Sequence, residues 1–328
     1  MVDLIVATES FLISLVVCML VLPSYIRKAK HVGITGLDIH KQNVPAIAEC
    51  GGVILILAYL IGLFFFIPFI NDTLTGEIIG TAATVLLVAF VGFVDDIYET
   101  RWRIKVLTPL LGGIPLAVLS LARPTIQTPF GILDFTESGP FGLVGKIFFS
   151  IILLVVVTAS ANAVNMFAGL NGLEAGSSAI MASALLILSV RESKPEGYII
   201  LIPFLGVLLA FLFFNKYPSK VFPGDVGTFG MGAVIACAAI LADLERAALI
   251  MFIPYIINAF LFFIGKLKRV PPPREAQMNR DGTLPAPSIW SLRSILLRVH
   301  PMNEKKLVVM MLLIVAVFSI AGMLVYGI

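Results

Sequence analysis

Charge is what this sequence has least of. Only 13% of its 328 residues are Asp, Glu, Lys or Arg, against about 25% in an ordinary soluble domain. So few charges cannot cover a water-soluble fold of this size, which excludes a cytosolic globular enzyme. Cysteine is equally sparse. Cys18, Cys50 and Cys237 stand far apart, with no C-x-x-C and no even framework, so a disulfide scaffold is excluded. Three histidines, His31, His40 and His300, form no H-E-x-x-H pair, which argues against a zinc hydrolase. A G-x-x-x-x-G-K-[ST] loop is missing too, so ATP-driven chemistry is not indicated.

What is present is apolar. Hydrophobic residues make up 59% of the chain and the mean hydropathy is +1.02. Nineteen prolines and 27 glycines suit a polytopic helical membrane protein, where both are tolerated better than in soluble helices. Apolar runs of about 20 residues are long enough to cross roughly 30 Å of hydrocarbon. Ten emerge, at roughly 4–26, 51–70, 77–94, 106–122, 144–161, 175–190, 197–214, 227–241, 247–267 and 307–327. The first lacks a basic n-region and a small-residue cleavage site and is followed by Arg27, Lys28 and Lys30. It therefore reads as a retained anchor. The expectation is an all-α, polytopic membrane protein with about ten transmembrane helices, forming one integral-membrane domain over residues 1–328.

Counting Lys and Arg on alternate sides of these ten segments gives 18 on one side and 5 on the other. The positive-inside rule then puts the 18-residue side in the cytoplasm and both termini outside. The only long connection, about 268–306, lies on that side and opens with Pro271-Pro272-Pro273-Arg274. Within it, Ser288–Val299 places Ile289, Leu292, Leu296 and Val299 on one helical face with Arg298 opposite, the pattern of a short interfacial helix.

Three polar clusters fall on the basic side. Val94-Asp95-Asp96-Ile97-Tyr98-Glu99 ends the third segment. A carboxylate deep in a membrane helix costs about 2.5–3.5 kcal/mol on insertion scales, so a pair asks for a partner. Such oxygen donors suit Mg²⁺, although ordinary interfacial charges beside Arg101, Arg103 and Lys105 would also mark a helix end. The second cluster, Asn162-Ala-Val-Asn165 through Gly169, Asn171, Gly172, Glu174 and Gly176, breaks the chain without one Lys or Arg. Small-residue packing explains its glycines but not its asparagines, whose amides need partners when buried. The third, Phe222-Pro223-Gly224-Asp225, opens the eighth segment after Lys216 and Lys220. Asp225 alone would read as an N-cap; beside the other two clusters it becomes a candidate metal ligand. Lys41 and Glu49, flanking the start of the second segment, are weaker candidates. Together these loops offer carboxylates and amides for a cation and basic groups for phosphate, which is equipment for phosphoryl transfer.

Gly92-Phe93-Val94-Asp95-Asp96 with Arg101-Trp102-Arg103-Ile104-Lys105, the Asn165–Gly176 stretch, and Tyr217-Pro218-Ser219-Lys220-Val221-Phe222-Pro223-Gly224-Asp225 closely resemble the polyprenyl-phosphate N-acetylhexosamine-1-phosphate transferases of glycosyltransferase family 4. The R-W-R-x-K, A-G-x-N-G-L-E-A-G and Y-P-S-[RK]-V-F-x-G-D forms are closest to the branch acting on UDP-GlcNAc and dolichyl phosphate. The resemblance spreads over nearly the whole chain. It implies transfer of GlcNAc-1-phosphate from UDP-GlcNAc to a polyprenyl (dolichyl) phosphate on the cytoplasmic face, with release of UMP. It further implies that Asn165 and Asp225 hold Mg²⁺, with Mn²⁺ a substitute, that Asp95 and Asp96 are catalytic, and that Lys105 binds phosphate. Phe222 would stack on uracil, Asn171 would hydrogen-bond it, and Glu49 would frame the nucleoside. Lys41, Asn162, Glu174 and Arg274 complete the expected substrate contacts.

The sequence departs from its relatives in the last loop, where they carry a basic Arg-His-Arg or His-rich motif. Here Arg274 alone matches, and Glu275 and Ala276 stand at basic positions, which leaves another UDP-N-acetylhexosamine open as donor. The expected partners are the sugar nucleotide, the lipid phosphate and the bilayer, not nucleic acid, with a homodimer left open. An archaeal cell membrane is the expected location, and the endoplasmic reticulum the alternative. Two other classes compete. A nucleotide-sugar or anion transporter predicts midplane broken helices in two related halves, whereas these motifs gather at one face. An intramembrane aspartyl protease could use Asp95 and Asp225 but leaves the asparagines unexplained.

Overall fold

The computed structural model describes residues 3–98, 100–119, 122–128, 131–136, 139–268, 278–279, 281–286 and 289–326. The long helices follow the apolar runs: α1 (Leu4–Val32), α2 (Gly52–Phe64), α3 (Asp72–Tyr98), then the short α4 (Trp102–Leu107) and α5 (Ile114–Val118). After these come α6 (Gly142–Phe167), α7 (Leu173–Arg191), α8 (Pro195–Asn215), α9 (Gly224–Leu241), α10 (Glu245–Met251), α11 (Ile253–Leu267), α12 (Leu292–Val299) and α13 (Glu304–Tyr326). Their ends carry ordinary stop and start chemistry. The Asp3 side chain accepts from Ile5 N at the start of α1, and Gly33, in the left-handed region at φ 82°, closes it.

Helix α9 is the axis of the molecule. Every residue from Val226 to Leu241 is buried, and α3, α6, α2, α8 and α7 pack around it. Small side chains make this possible, because close backbone approach is what holds helices together in lipid. At the periphery, α1 and α13 leave much of their length uncovered. Their exposed residues are large and apolar, Leu12, Leu20, Leu313 and Val317 among them, as a lipid-facing surface requires.

Two expectations are corrected. First, eight helices among the described residues are long and apolar enough to cross a membrane, or nine if α10 and α11, bent by 55°, form one span. The segment expected over 106–122 is not a continuous helix. Pro109, Gly112, Gly113 and Pro115 break it into α4, a 3₁₀ stretch over Thr108–Gly113, and α5, because proline removes a helix donor and glycine weakens what remains. Its two ends are nonetheless anchored far apart. Lys105 bonds to Asp225 at the start of α9, and Arg123 lies 3.3 Å from Asp243 just past its end.

Second, the chain is not purely helical. A hairpin of β1 (Thr35–Leu37) and β2 (Ala46–Ala48) pairs Gly36 with Ile47, and a second, β3 (Thr125–Thr128) with β4 (Gly131–Asp134), pairs Gln127 with Ile132. The first hairpin matters for the site. Ala48 bridges Val221 in parallel, and Gly51 N and Gly52 N donate to Phe222 O and Pro223 O, both at 2.9 Å. The loops opening α2 and α9 are thus stitched into one frame. The short helix expected over Ser288–Val299 begins only at Leu292, where the Ser291 side chain caps it.

Candidate active site

The ends of α3, α6 and α9 converge, and their polar residues bind one another across more than a hundred positions of sequence. The Asp96 carboxylate accepts from Asp225 N at 2.7 Å and Val226 N at 3.0 Å. These are free amides of the first turn of α9, where a negative charge is favoured. Asp96 thereby fixes α9 to α3. Gly92, one turn back, allows it: a Cβ there would stand 2.4 Å from Asp225 O.

Asp95 is buried beside it and accepts from Thr100 N at 3.0 Å. Its second oxygen lies 2.8 Å from Lys105 Nζ, and the same ammonium pairs with Asp225. The carboxylates of Asp225 and Asp95 thus hold the ammonium between them. Asn165, near the end of α6, donates its Nδ2 to Asp225 Oδ1 and, at 2.9 Å, to Thr228 Oγ1. Among the described residues nothing donates to Asn165 Oδ1, so that oxygen is available to a ligand. Two carboxylates, Asp95 and Asp225, share one ammonium here, with Asp96 beside them. The donors are hard oxygens, Lys105 already marks where a cation sits between Asp95 and Asp225, and the set fits a divalent metal such as Mg²⁺.

Two cavities meet at this cluster. The larger, about 430 Å³, is lined by Asn165, Asp225, Thr228, Gly169, Asn171, Glu174, Phe222, Glu49, His40 and Arg293 among others. A second of about 280 Å³ combines Lys105, Asn162, Asn165 and Arg293 with Trp102, Met166, Phe262, Trp290 and Met311. The first is rich in carboxylates and amides; the second sets aromatic and apolar side chains beside the Lys105 ammonium, the Arg293 guanidinium and the Asn162 and Asn165 amides.

The expected residues therefore divide. Asp95, Asp96, Lys105, Asn165 and Asp225 form one bonded cluster, and Glu49, Phe222 and Glu174 line the larger cavity beside it. Glu174 accepts from Gly169 N at 2.6 Å and holds the loop that Gly169 opens. Asn162 points into α4, donating to Val106 O at 3.0 Å and Thr158 O at 2.9 Å. Asn171 has few donors or acceptors to spare. It donates to Asp38 Oδ2 at 3.0 Å and Glu304 Oε1 at 2.7 Å, and accepts from Ser219 N at 3.1 Å. Lys41 is bound to Asp38, at 3.1 Å, and to Glu304, and lies over the Tyr217 ring. Arg274, with Glu275 and Ala276, lies outside the described residues, as do Glu99 and Arg280.

The structure adds groups that sequence reasoning passed over. Asp38, His40 and Glu304 place ligand atoms close together, but Lys41 and Asn171 already satisfy the two carboxylates. Burial, followed by the charge of Arg293, pushes His40 down to about 4, so its ring is neutral at physiological pH. Burial pushes the Cys50 thiol up to about 12, which removes it as a nucleophile. Arg293 and Asn258, from α12 and α11, also face the cavities. A short polar run, Asp38-x-His40-Lys41, and a cation on the amphipathic 288–299 segment were the only signals of these.

The sequence model of glycosyl transferase family 4 matches residues 78–243. The chain is 31% identical over 307 residues to a Saccharolobus solfataricus protein provisionally named a UDP-N-acetylglucosamine–dolichyl-phosphate N-acetylglucosaminephosphotransferase, covering 91% of this chain and 90% of that one. It is 28% identical to the Dictyostelium discoideum protein of the same name, covering 92% and 83% of the two chains. A phospho-N-acetylmuramoyl-pentapeptide-transferase of Streptococcus uberis is 29% identical over 75% and 76%. With its apolar spans and these relatives over nearly its full length, the chain is an integral membrane protein belonging to glycosyl transferase family 4.

Proposed function

We propose that this chain transfers N-acetylglucosamine-1-phosphate from UDP-N-acetylglucosamine to a dolichyl (polyprenyl) phosphate, releasing UMP, as the names of its relatives describe for them. One observation carries the reading: Asp95, Asp96, Lys105, Asn165 and Asp225 close into a single hydrogen-bonded cluster at the junction of a polar and an apolar cavity. A polar cavity beside an aromatic one suits a sugar nucleotide facing a lipid phosphate. An oxygen of the acceptor phosphate attacks the sugar-bearing phosphorus, the bond from that phosphorus to the UMP oxygen breaks, and UMP leaves with the electron pair.

Asp225 and Asn165 would hold Mg²⁺, which when bound neutralises charge on the donor diphosphate. Lys105, presented between Asp95 and Asp225, faces the apolar cavity and is placed to hold the acceptor phosphate. The second pKa of a phosphate monoester is about 6, so the acceptor arrives ionised and needs orientation more than deprotonation. Asp95 and Asp96 supply that orientation, the first through Lys105 and the second through the start of α9. In this reading residues 1–328 form one membrane domain. Its catalytic end faces the cytoplasm, in an archaeal cell membrane, and both termini lie outside once the broken 102–118 segment is counted as a crossing.

Purified chain with UDP-N-acetylglucosamine and short-chain dolichyl phosphate should release UMP only when Mg²⁺ is present. Absence of Mg²⁺-dependent UMP release with that pair and with other UDP-N-acetylhexosamines overturns the proposal.

A further inference from the structure

The cations around the two cavities are not equally committed. Lys105 is bound by Asp95 and Asp225, and Lys41 by Asp38 and Glu304. Arg293 lines both cavities, yet among the described residues its guanidinium has no hydrogen-bond or ion-pair partner. Its backbone, by contrast, is firmly placed. Ser291 caps α12, Leu292 N donates to Asn258 Oδ1 at 3.0 Å, and Asn258 donates to Met166 O at 2.8 Å. That chain of bonds ties the root of Arg293 to the end of α6, three residues from Gly169.

The guanidinium itself rests against Gly169. A Cβ at that position would stand 3.0 Å from Arg293 Nη1, and Gly169 itself adopts φ 111°, which favours glycine. Gly169 belongs to the wall of the larger, polar cavity and not of the apolar one. Glu174 and His40 both feel the charge, and neither pairs with it. A partly buried guanidinium carries five donors and stays ionised, so leaving it without an acceptor is costly. Its planar fork matches two oxygens of a phosphate at once.

We propose that Arg293, entering from α12 the polar cavity that Asn165 and Asp225 also line, grips the diphosphate of the sugar nucleotide. This rests on the transferase reading for its substrate and goes beyond it in assigning a residue outside the three sequence clusters. Arg293 supplies a fixed cation on the donor side, while Lys105 serves the acceptor side.

The test uses the full chain in detergent or nanodiscs, with Arg293→Gln, Arg293→Lys and, as a control, Arg298→Gln on the exposed face of the same helix. Binding of uridine, UMP and UDP is titrated in Mg²⁺, and donor and acceptor KM are measured by UMP release. Arg293→Gln should lower UDP affinity by about tenfold to a hundredfold, the size of a charge-assisted contact, while uridine affinity stays unchanged. Donor KM should rise by a similar factor with acceptor KM within about twofold, Arg293→Lys should recover part of the loss, and Arg298→Gln should match wild type. An unchanged preference for UDP over uridine in Arg293→Gln overturns the assignment, as does a rise confined to acceptor KM. If wild type releases no UMP the transferase reading fails, and the UDP titration still judges Arg293 by itself.

Discussion

Lys105 and Asp96 stand within one cluster, yet they bear on different measurements. Lys105 is the ammonium that Asp95 and Asp225 share, so Lys105→Met removes charge from where phosphate oxygens would sit. UMP release should fall by about a hundredfold or more, the scale of a preorganised electrostatic contact, and because Asp95 and Asp225 lose their shared partner the melting temperature should fall as well. Asp96 instead closes the first turn of α9 through two backbone bonds. Asp96→Ala leaves both amides unpaired and should destabilise the fold by about 1–3 kcal/mol, visible as a lower thermal midpoint before any assay. If Lys105→Met keeps wild-type UMP release, or Asp96→Ala keeps the wild-type thermal midpoint, the division of roles is wrong. His40 adds a pH dependence. It titrates near its ordinary 6.5 when unfolded and at about 4 when folded, so between those values the unfolded chain binds more protons. Stability should therefore fall as pH drops from about 6.5 toward 4. His40→Gln should flatten that slope in thermal melts across the same range.

Helices α3 and α9 touch through backbone, and the contact is where an element-scale change should reach the chemistry. A methyl on Gly92 would meet Asp225 O, a main-chain atom that cannot turn aside. Gly92→Ala should cost about 1–3 kcal/mol by overpacking. By shifting Asp96 and Asp225 apart it should also reduce UMP release by about a hundredfold, since small misplacements weigh heavily on catalysis. Phe90→Ala, two positions away and 62% exposed, should change neither melting nor rate. The same elements show what was legible in the sequence. Long apolar runs gave α1, α3, α6, α8 and α13 directly, because hydrocarbon thickness sets their length. The run over 106–122 has the same hydropathy but not the same structure. Membrane helices tolerate proline and glycine, so hydropathy alone does not reveal that Pro109, the glycine pair and Pro115 together break this one. The strand pairing of Ala48 with Val221 was equally hidden, since it joins segments 173 positions apart with no pattern of alternation in either.

Across the whole molecule, the motif residues were readable because chemistry restricts their types: carboxylates and amides are expensive in a membrane segment and stand out against it. Arg293 was not, because one cation on an amphipathic helix looks like any interfacial charge until the cavity walls are known. Sidedness is the remaining molecular property, and it depends on how the broken 102–118 segment is counted. If it crosses, 18 of the 23 basic residues share the side of Asp95 and Asp225, and the positive-inside rule puts that side in the cytoplasm. If it does not, the charge split blurs and the catalytic end loses its assignment. Lys105 and Arg123, bonded to opposite ends of α9, favour a crossing. Cysteine labelling decides the matter, because Cys18, Cys50 and Cys237 are all buried and should stay silent. Lys220→Cys probes the exposed position before α9, and Glu192→Cys the exposed end of α7. In intact cells a membrane-impermeant maleimide should label Glu192→Cys and spare Lys220→Cys, and inverted vesicles should reverse the pattern. Labelling of Lys220→Cys in intact cells would place the carboxylate cluster on the outer face, where a cytoplasmic sugar nucleotide cannot reach it.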